Sequence, residues 1–108
     1  MSEAQIQREI LLGLGALPDV RLFRNSVGLA RDPVSGAMVR FGLAIGSSDL
    51  VGIVRPRGRW LAIEVKSEHG RPTREQLAFI EMVRRMGGVA GVARSVAEAQ
   101  LLLEEARR

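Results

Sequence analysis

Ser48-Asp49-Leu50-Val51-Gly52-Ile53-Val54, Arg55-Pro56-Arg57-Gly58-Arg59 and Trp60-Leu61-Ala62-Ile63-Glu64-Val65-Lys66 form one continuous stretch whose reading decides the fold. Two apolar runs rich in β-branched residues flank a Pro/Gly punctuation, the pattern of a β-hairpin. With the loop centred near Pro56 and Arg57, residues whose numbers sum to about 113 face each other across an antiparallel pair. Asp49 and Glu64 then lie opposite one another. Side chains alternate along a strand, so Glu64 and Lys66 share one face while Ile63 and Val65 take the other. Two carboxylates and one ammonium converge on one patch of sheet.

Like charges placed opposite each other destabilise a sheet. A divalent cation between the carboxylates reverses the sign. Mg²⁺ suits one or two carboxylates completed by waters and phosphate oxygens, because it gives up its hydration reluctantly. Lys66 beside it is a fixed positive charge suited to charge that develops in a transition state.

The rest of the composition narrows the chemistry. At 108 residues the chain is expected to be one domain, residues 1–108. It carries no cysteine and a single histidine, His69, which excludes thiolate metal sites, a cysteine nucleophile and a simple Ser-His-Asp triad. A metal site must then be built from carboxylates, which favours Mg²⁺ or Mn²⁺. A formal charge of +4, mostly from arginine, favours an anionic partner, nucleic acid ahead of membrane. No apolar run approaches a membrane span and no signal peptide opens the chain, so the expected location is the cytoplasm.

Outward from the hairpin, Ser2-Glu3-Ala4-Gln5 has capping-box spacing, and Ile6, Ile10, Leu14 and Leu17 form a helical stripe to about residue 16. Glu9 flanks that stripe; by periodicity it reads as a solvated carboxylate. Val20 to Arg24 alternates as a first strand, and Arg24-Asn25 at its end either faces phosphate or caps the strand. Gly28 to Gly46 is turn-punctuated, with Ala37 to Phe41 as a short strand. Arg31 and Arg40 either line a nucleic-acid channel or face solvent. Small residues through Ser48 allow phosphate to approach the backbone before Asp49. Arg55, Arg57 and Arg59 crowd the hairpin tip. His69 reads as a solvent-facing loop residue. Thr73-Arg74-Glu75-Gln76 is a second capping box opening a helix that ends at Gly87-Gly88, and Gln76 also continues that helix's inward stripe. Val89 to Ala93 is a short buried strand, and Ser95-Val96-Ala97-Glu98 opens a final helix with a third capping box.

The ordered set of Glu9, Gly46-Ser47-Ser48-Asp49, Ile63-Glu64-Val65-Lys66 and Thr73-Arg74-Glu75-Gln76 resembles the virus-type replication-repair nuclease (VRR-NUC) family of the PD-(D/E)XK superfamily, in its small stand-alone form. The resemblance implies a restriction-endonuclease-like α/β fold, with an αβββαβα core and a mixed sheet flanked by helices. It implies a Mg²⁺-dependent DNA endonuclease, bacterial or phage-encoded, acting in repair or recombination at four-way (Holliday) junctions as a homodimer. Asp49, Glu64 and the Val65 carbonyl would hold metal, with Glu9 helping through water or a second ion. Lys66 and Gln76 would complete the catalytic set, and Arg24, Asn25, Arg31, Arg40 and Ser48 would contact nucleic acid. The rival readings are a non-catalytic basic nucleic-acid-binding module and a phage accessory protein with a protein partner. They differ in the effect of metal on DNA and in affinity for DNA at all.

Overall fold

The computed structural model describes residues 1–108. In chain order the elements are α1 (Glu3–Gly15), β1 (Val20–Arg24), β2 (Gly28–Arg31), β3 (Met38–Phe41), β4 (Leu50–Val54), β5 (Arg59–Val65), α2 (Arg74–Arg85), β6 (Val89–Ala93) and α3 (Val96–Arg107). Four strands make one sheet in the order β1-β4-β5-β6, with only the β5–β6 pair parallel. α2 carries the chain between these two strands, since parallel neighbours need a crossover. Without β2 and β3, the order is αβββαβα. These two strands form a separate antiparallel hairpin between β1 and β4.

The sheet register follows the sequence pattern. Leu50 pairs with Ile63 and Val54 with Arg59, so the ladder continued by one step sets Asp49 against Glu64. Odd-numbered β5 residues Leu61, Ile63 and Val65 face α1 and α3, and join Ile6, Ile10, Leu14, Leu50 and Leu103 in the main core. The even-numbered Ala62 faces α2 and packs with Phe79, Ile80, Val83 and Ala90 in a smaller cluster. Each fully buried aliphatic side chain here contributes ~1.5–3 kcal/mol by leaving water. Glu64 and Lys66 follow the parity of Ala62. They project on the α2 side, at the carboxyl end of β5.

Both expected capping boxes at α1 and α2 form, from Ser2 with Gln5 and Thr73 with Gln76. At α3 the box is altered: Ser95 Oγ accepts from the Glu98 amide, but the Glu98 carboxylate accepts from the Arg94 amide, one residue earlier than a box requires. α2 closes as expected at Gly87, whose φ of +98° suits glycine. Met86, the C-cap that follows α2, is exposed, because the helix ends before that turn reaches the sheet.

Of the hairpin-tip arginines, Arg57 and Arg59 are tied to the chain while Arg55 is exposed. Arg59 donates to the Gly87 and Glu105 carbonyls, both at 3.0 Å, and Arg57 donates to the Arg108 carbonyl. The last carbonyls of a helix lack intrahelical donors, and the guanidinium groups supply them.

Candidate active site

β4 begins and β5 ends at the same edge of the sheet, beside the first turn of α2. Asp49 immediately precedes β4, and its Oδ2 accepts a hydrogen bond from the Val65 amide at 2.8 Å. The side chain thereby closes the ladder where the main-chain pairing stops, which fixes the carboxylate next to Glu64. Lys66 Nζ lies 3.6 Å from Glu64 Oε2. Glu64 is 1% exposed and Lys66 9%, so the triad of charges is set into the protein.

The other oxygen of Glu64, Oε1, is buried without a hydrogen-bond partner. A buried carboxylate oxygen left unsatisfied costs at least ~1–3 kcal/mol. Burial, and after it the neighbouring negative charge of Asp49, pushes the Glu64 carboxyl up to about 8, although Lys66 pulls the other way. An orphaned hard oxygen, a second carboxylate beside it and a raised proton affinity are features that a bound hard cation would satisfy. The donor set therefore fits Mg²⁺ or Mn²⁺. No group of three or more Asp, Glu, His or Cys side chains converges anywhere in the structure, so side chains alone supply two metal-ligand residues here.

Beside these charges lies a depression of about 340 Å³ whose lining includes Gln7, Arg24, Asn25, Ser47, Asp49 and Gln76. Gln76 serves both purposes read from its sequence context. Its Oε1 accepts from the Thr73 amide at 2.8 Å, as a cap, while the side chain lines the depression. Gly46 makes this possible. Its φ is +80°, and a Cβ there would lie 2.5 Å from the Glu75 carbonyl carbon, so the loop before Asp49 rests on the backbone at the start of α2.

Asn25 holds that loop. Its Nδ2 donates to Ser47 Oγ at 2.7 Å and to the Ser48 carbonyl at 2.8 Å, its Oδ1 accepts from the Leu43 amide, and its amide donates to the Asp49 carbonyl. The side chain is occupied with positioning Asp49, the capping alternative of the two read from the sequence, and it also lines the depression. Ser48 is fully buried, with its hydroxyl unpartnered, so its side chain does not reach the surface. Arg31 and Arg40 lie on the β2–β3 hairpin rather than in the depression, and Arg31 donates to the Gly36 carbonyl. His69 is solvent-facing, as its loop position suggested.

A family model described as the VRR-NUC domain matches residues 15–97. The chain belongs to the VRR-NUC family. A solved structure titled "VRR_NUC domain" is similar at 25% identity, with a TM-score of 0.59, covering 94% of this chain and 94% of that one. No curated protein matches. VRR-NUC is a nuclease family, which makes DNA the substrate class of the domain at the coarse level.

In this VRR-NUC domain the first-helix acid is the point where expectation and geometry part. Glu9 does not join the cluster: it lines a separate depression with Glu68, Arg94 and Ser95, beside the start of α3. Residues two apart on a helix point about 200° apart. Gln7 faces the candidate site, and Glu9 is therefore turned away. Glu3, one turn before Gln7, is exposed and does not line the depression beside Asp49 either. Its carboxylate lies close to Gly70 and Ser67, in the loop that follows Lys66. The matched segment starts at residue 15, beyond both acids.

Proposed function

We propose that this VRR-NUC domain is a metal-dependent DNA endonuclease that hydrolyses phosphodiester bonds in branched DNA, four-way junctions in particular, as a homodimer. The observation that carries the metal dependence is the buried, unpartnered Glu64 oxygen facing a second carboxylate. A bound Mg²⁺ or Mn²⁺ would supply Lewis acidity at the scissile phosphate and acidify the attacking water. Asp49, Glu64 and the Val65 carbonyl would hold it. Lys66, fixed against Glu64, places positive charge where the phosphoryl oxygens gain negative charge. Gln76 offers its amide hydrogens to phosphate or to the attacking water, and Arg24 at the rim faces the strand.

The dimer is supported by two uncovered surfaces. α2 packs only against β5 and β6, leaving Phe23 and Ile53, on the same face of β1 and β4, 59% and 52% exposed. The β2–β3 hairpin packs against no other element and has no buried residue. A two-stranded hairpin alone is marginal in water, and a sheet face needs a covering layer. Gly28, Ala30, Val39 and Phe41 form one uncharged face of that arm. A second copy of the chain covers such surfaces symmetrically and brings two active sites to one junction.

The deciding experiment compares four-way junction, flap, duplex and single-stranded DNA, each with Mg²⁺, Mn²⁺ or EDTA. Junction cutting that needs metal is expected. Metal-independent binding without cutting would establish the non-catalytic module instead.

A further inference from the structure

We infer that Arg8 and Arg24 form a phosphate subsite beside the candidate active site, holding a backbone phosphate of the strand being cut, one or two nucleotides from the scissile bond. The proposal rests on the reading of the domain as one that takes DNA. Arg8 on α1 and Arg24 at the end of β1 line one small depression of about 130 Å³, together with Ala4, Gln7 and Leu11. No carboxylate lines it. Both arginine side chains line it, and neither makes an ion pair or a side-chain hydrogen bond within the protein.

Partnerless arginines occur elsewhere, Arg40, Arg55 and Arg85 among them, so what distinguishes Arg8 and Arg24 is their place beside the candidate site. Arg57, Arg59, Arg84 and Arg94 are committed to backbone carbonyls, and Arg107 to Asp19 and Glu104. Like charges brought together without a counter-ion repel, as the two carboxylates do at the other centre, and an anion relieves the repulsion. The volume is well below the ~300–1,000 Å³ of pockets that enclose an organic ligand, and admits a phosphate group rather than a nucleoside. Planar guanidinium groups suit phosphate because each can donate two parallel hydrogen bonds.

Position supplies the second argument. Gln7 and Arg24 line both this depression and the larger one containing Asp49 and Gln76. The two are continuous across these side chains. A strand whose scissile phosphate lies at Asp49 and Glu64 would run its next phosphates past Arg24 toward Arg8. Phosphate contacts fix register on nucleic acid without reading sequence. The subsite would therefore set which phosphate reaches the carboxylates.

The test uses the full chain, a four-way DNA junction and EDTA, so that binding is read without cleavage. Arg8→Gln is expected to weaken binding about threefold to tenfold near 0.1 M salt and to lower the slope of log K against log salt by about 0.9, the value of one lost phosphate contact. Arg85→Gln, at the far end of α2, is the control and should change neither. A series of junctions each carrying one neutral methylphosphonate then locates the contact. One substitution should weaken binding by the wild-type chain and leave Arg8→Gln indifferent. An Arg8→Gln variant, folded by circular dichroism, that matches the Arg85→Gln control would overturn the subsite. So would a methylphosphonate series affecting both chains alike. If binding depends on Arg8 but no metal supports cutting, the subsite stands and the nuclease reading falls. If cutting is metal-dependent and indifferent to Arg8, the reverse holds.

Discussion

Asp49 Oδ2 and the Val65 amide are joined by a 2.8 Å hydrogen bond that crosses from the start of one strand to the end of its neighbour. This bond sets the carboxylate of Asp49 against that of Glu64, and the consequences of the site follow from the opposition. Asp49→Asn retains an oxygen able to accept from Val65 while removing the charge. It should therefore keep the fold, lower the proton affinity of Glu64 and lose most divalent-metal binding. Calorimetry with Mn²⁺ checks the last point; wild-type uptake by the variant would remove Asp49 from the metal site.

Lys66→Ala and Glu64→Ala are each expected to reduce metal-dependent cleavage by at least a hundredfold, the scale seen when one preorganised electrostatic group is removed from an active site. Single-turnover rates on a junction substrate measure this. Lys66→Ala should still bind metal, whereas Glu64→Ala should not. Equal cleavage by both variants and the wild type would end the assignment.

The carboxyl of Glu64 rises from an ordinary 4.5 to about 8 in the metal-free fold. Between these values the folded chain holds a proton that the unfolded chain has released. Stability of the metal-free protein should thus be fully present below about pH 4.5 and decline as pH rises toward 8, by at most about 1.4 kcal/mol per unit. Added Mg²⁺ should flatten the decline, since a cation replaces the proton. Glu64→Gln should flatten it without metal. Thermal melts from pH 5 to 9 with EDTA or Mg²⁺ show the trend; an unchanged metal-free profile in Glu64→Gln would assign the decline to other groups.

Gly46→Ala meets two costs, a positive φ of 80° and a Cβ lying 2.5 Å from the Glu75 backbone. A loss of about 1–3 kcal/mol is expected. It should appear as a fall in Tm of roughly 4–8 °C for each kcal/mol. Because the displaced loop carries Asp49, cleavage should drop even at temperatures where the variant is fully folded. A folded variant with wild-type cleavage would uncouple that loop from the site.

Val39→Lys combined with Phe41→Lys places two charges on the uncharged face of the hairpin arm. The wild-type chain should sediment as a dimer and the double variant as a monomer, with loss of paired junction incisions. A wild-type monomer would refute the proposed dimer.

Much of this site was legible because period-two alternation is rigid. Once Pro56 and Arg57 mark the turn, the pairing of Asp49 with Glu64 and the shared face of Glu64 and Lys66 are arithmetic. The first helix was harder, since successive residues on a helix differ by about 100° in direction, and which side of α1 meets the sheet edge decides where Glu9 points. Asn25 could be located but not interpreted. Its four hydrogen-bond contacts reach residues 18 to 24 positions away, and long-range polar contacts leave no periodic trace. Strand β2 was hidden for a related reason: Gly28-Leu29-Ala30-Arg31 has little strand propensity and is extended because β3 lies beside it.

The cap at the start of α2 has one further effect. Thr73 claims the carbonyl end of the Gln76 side chain, so its other end, which only gives protons, is what incoming molecules encounter. A helix terminus thereby imposes a polarity on the cavity. Groups rich in lone pairs, such as phosphoryl oxygens, meet a donor along that wall.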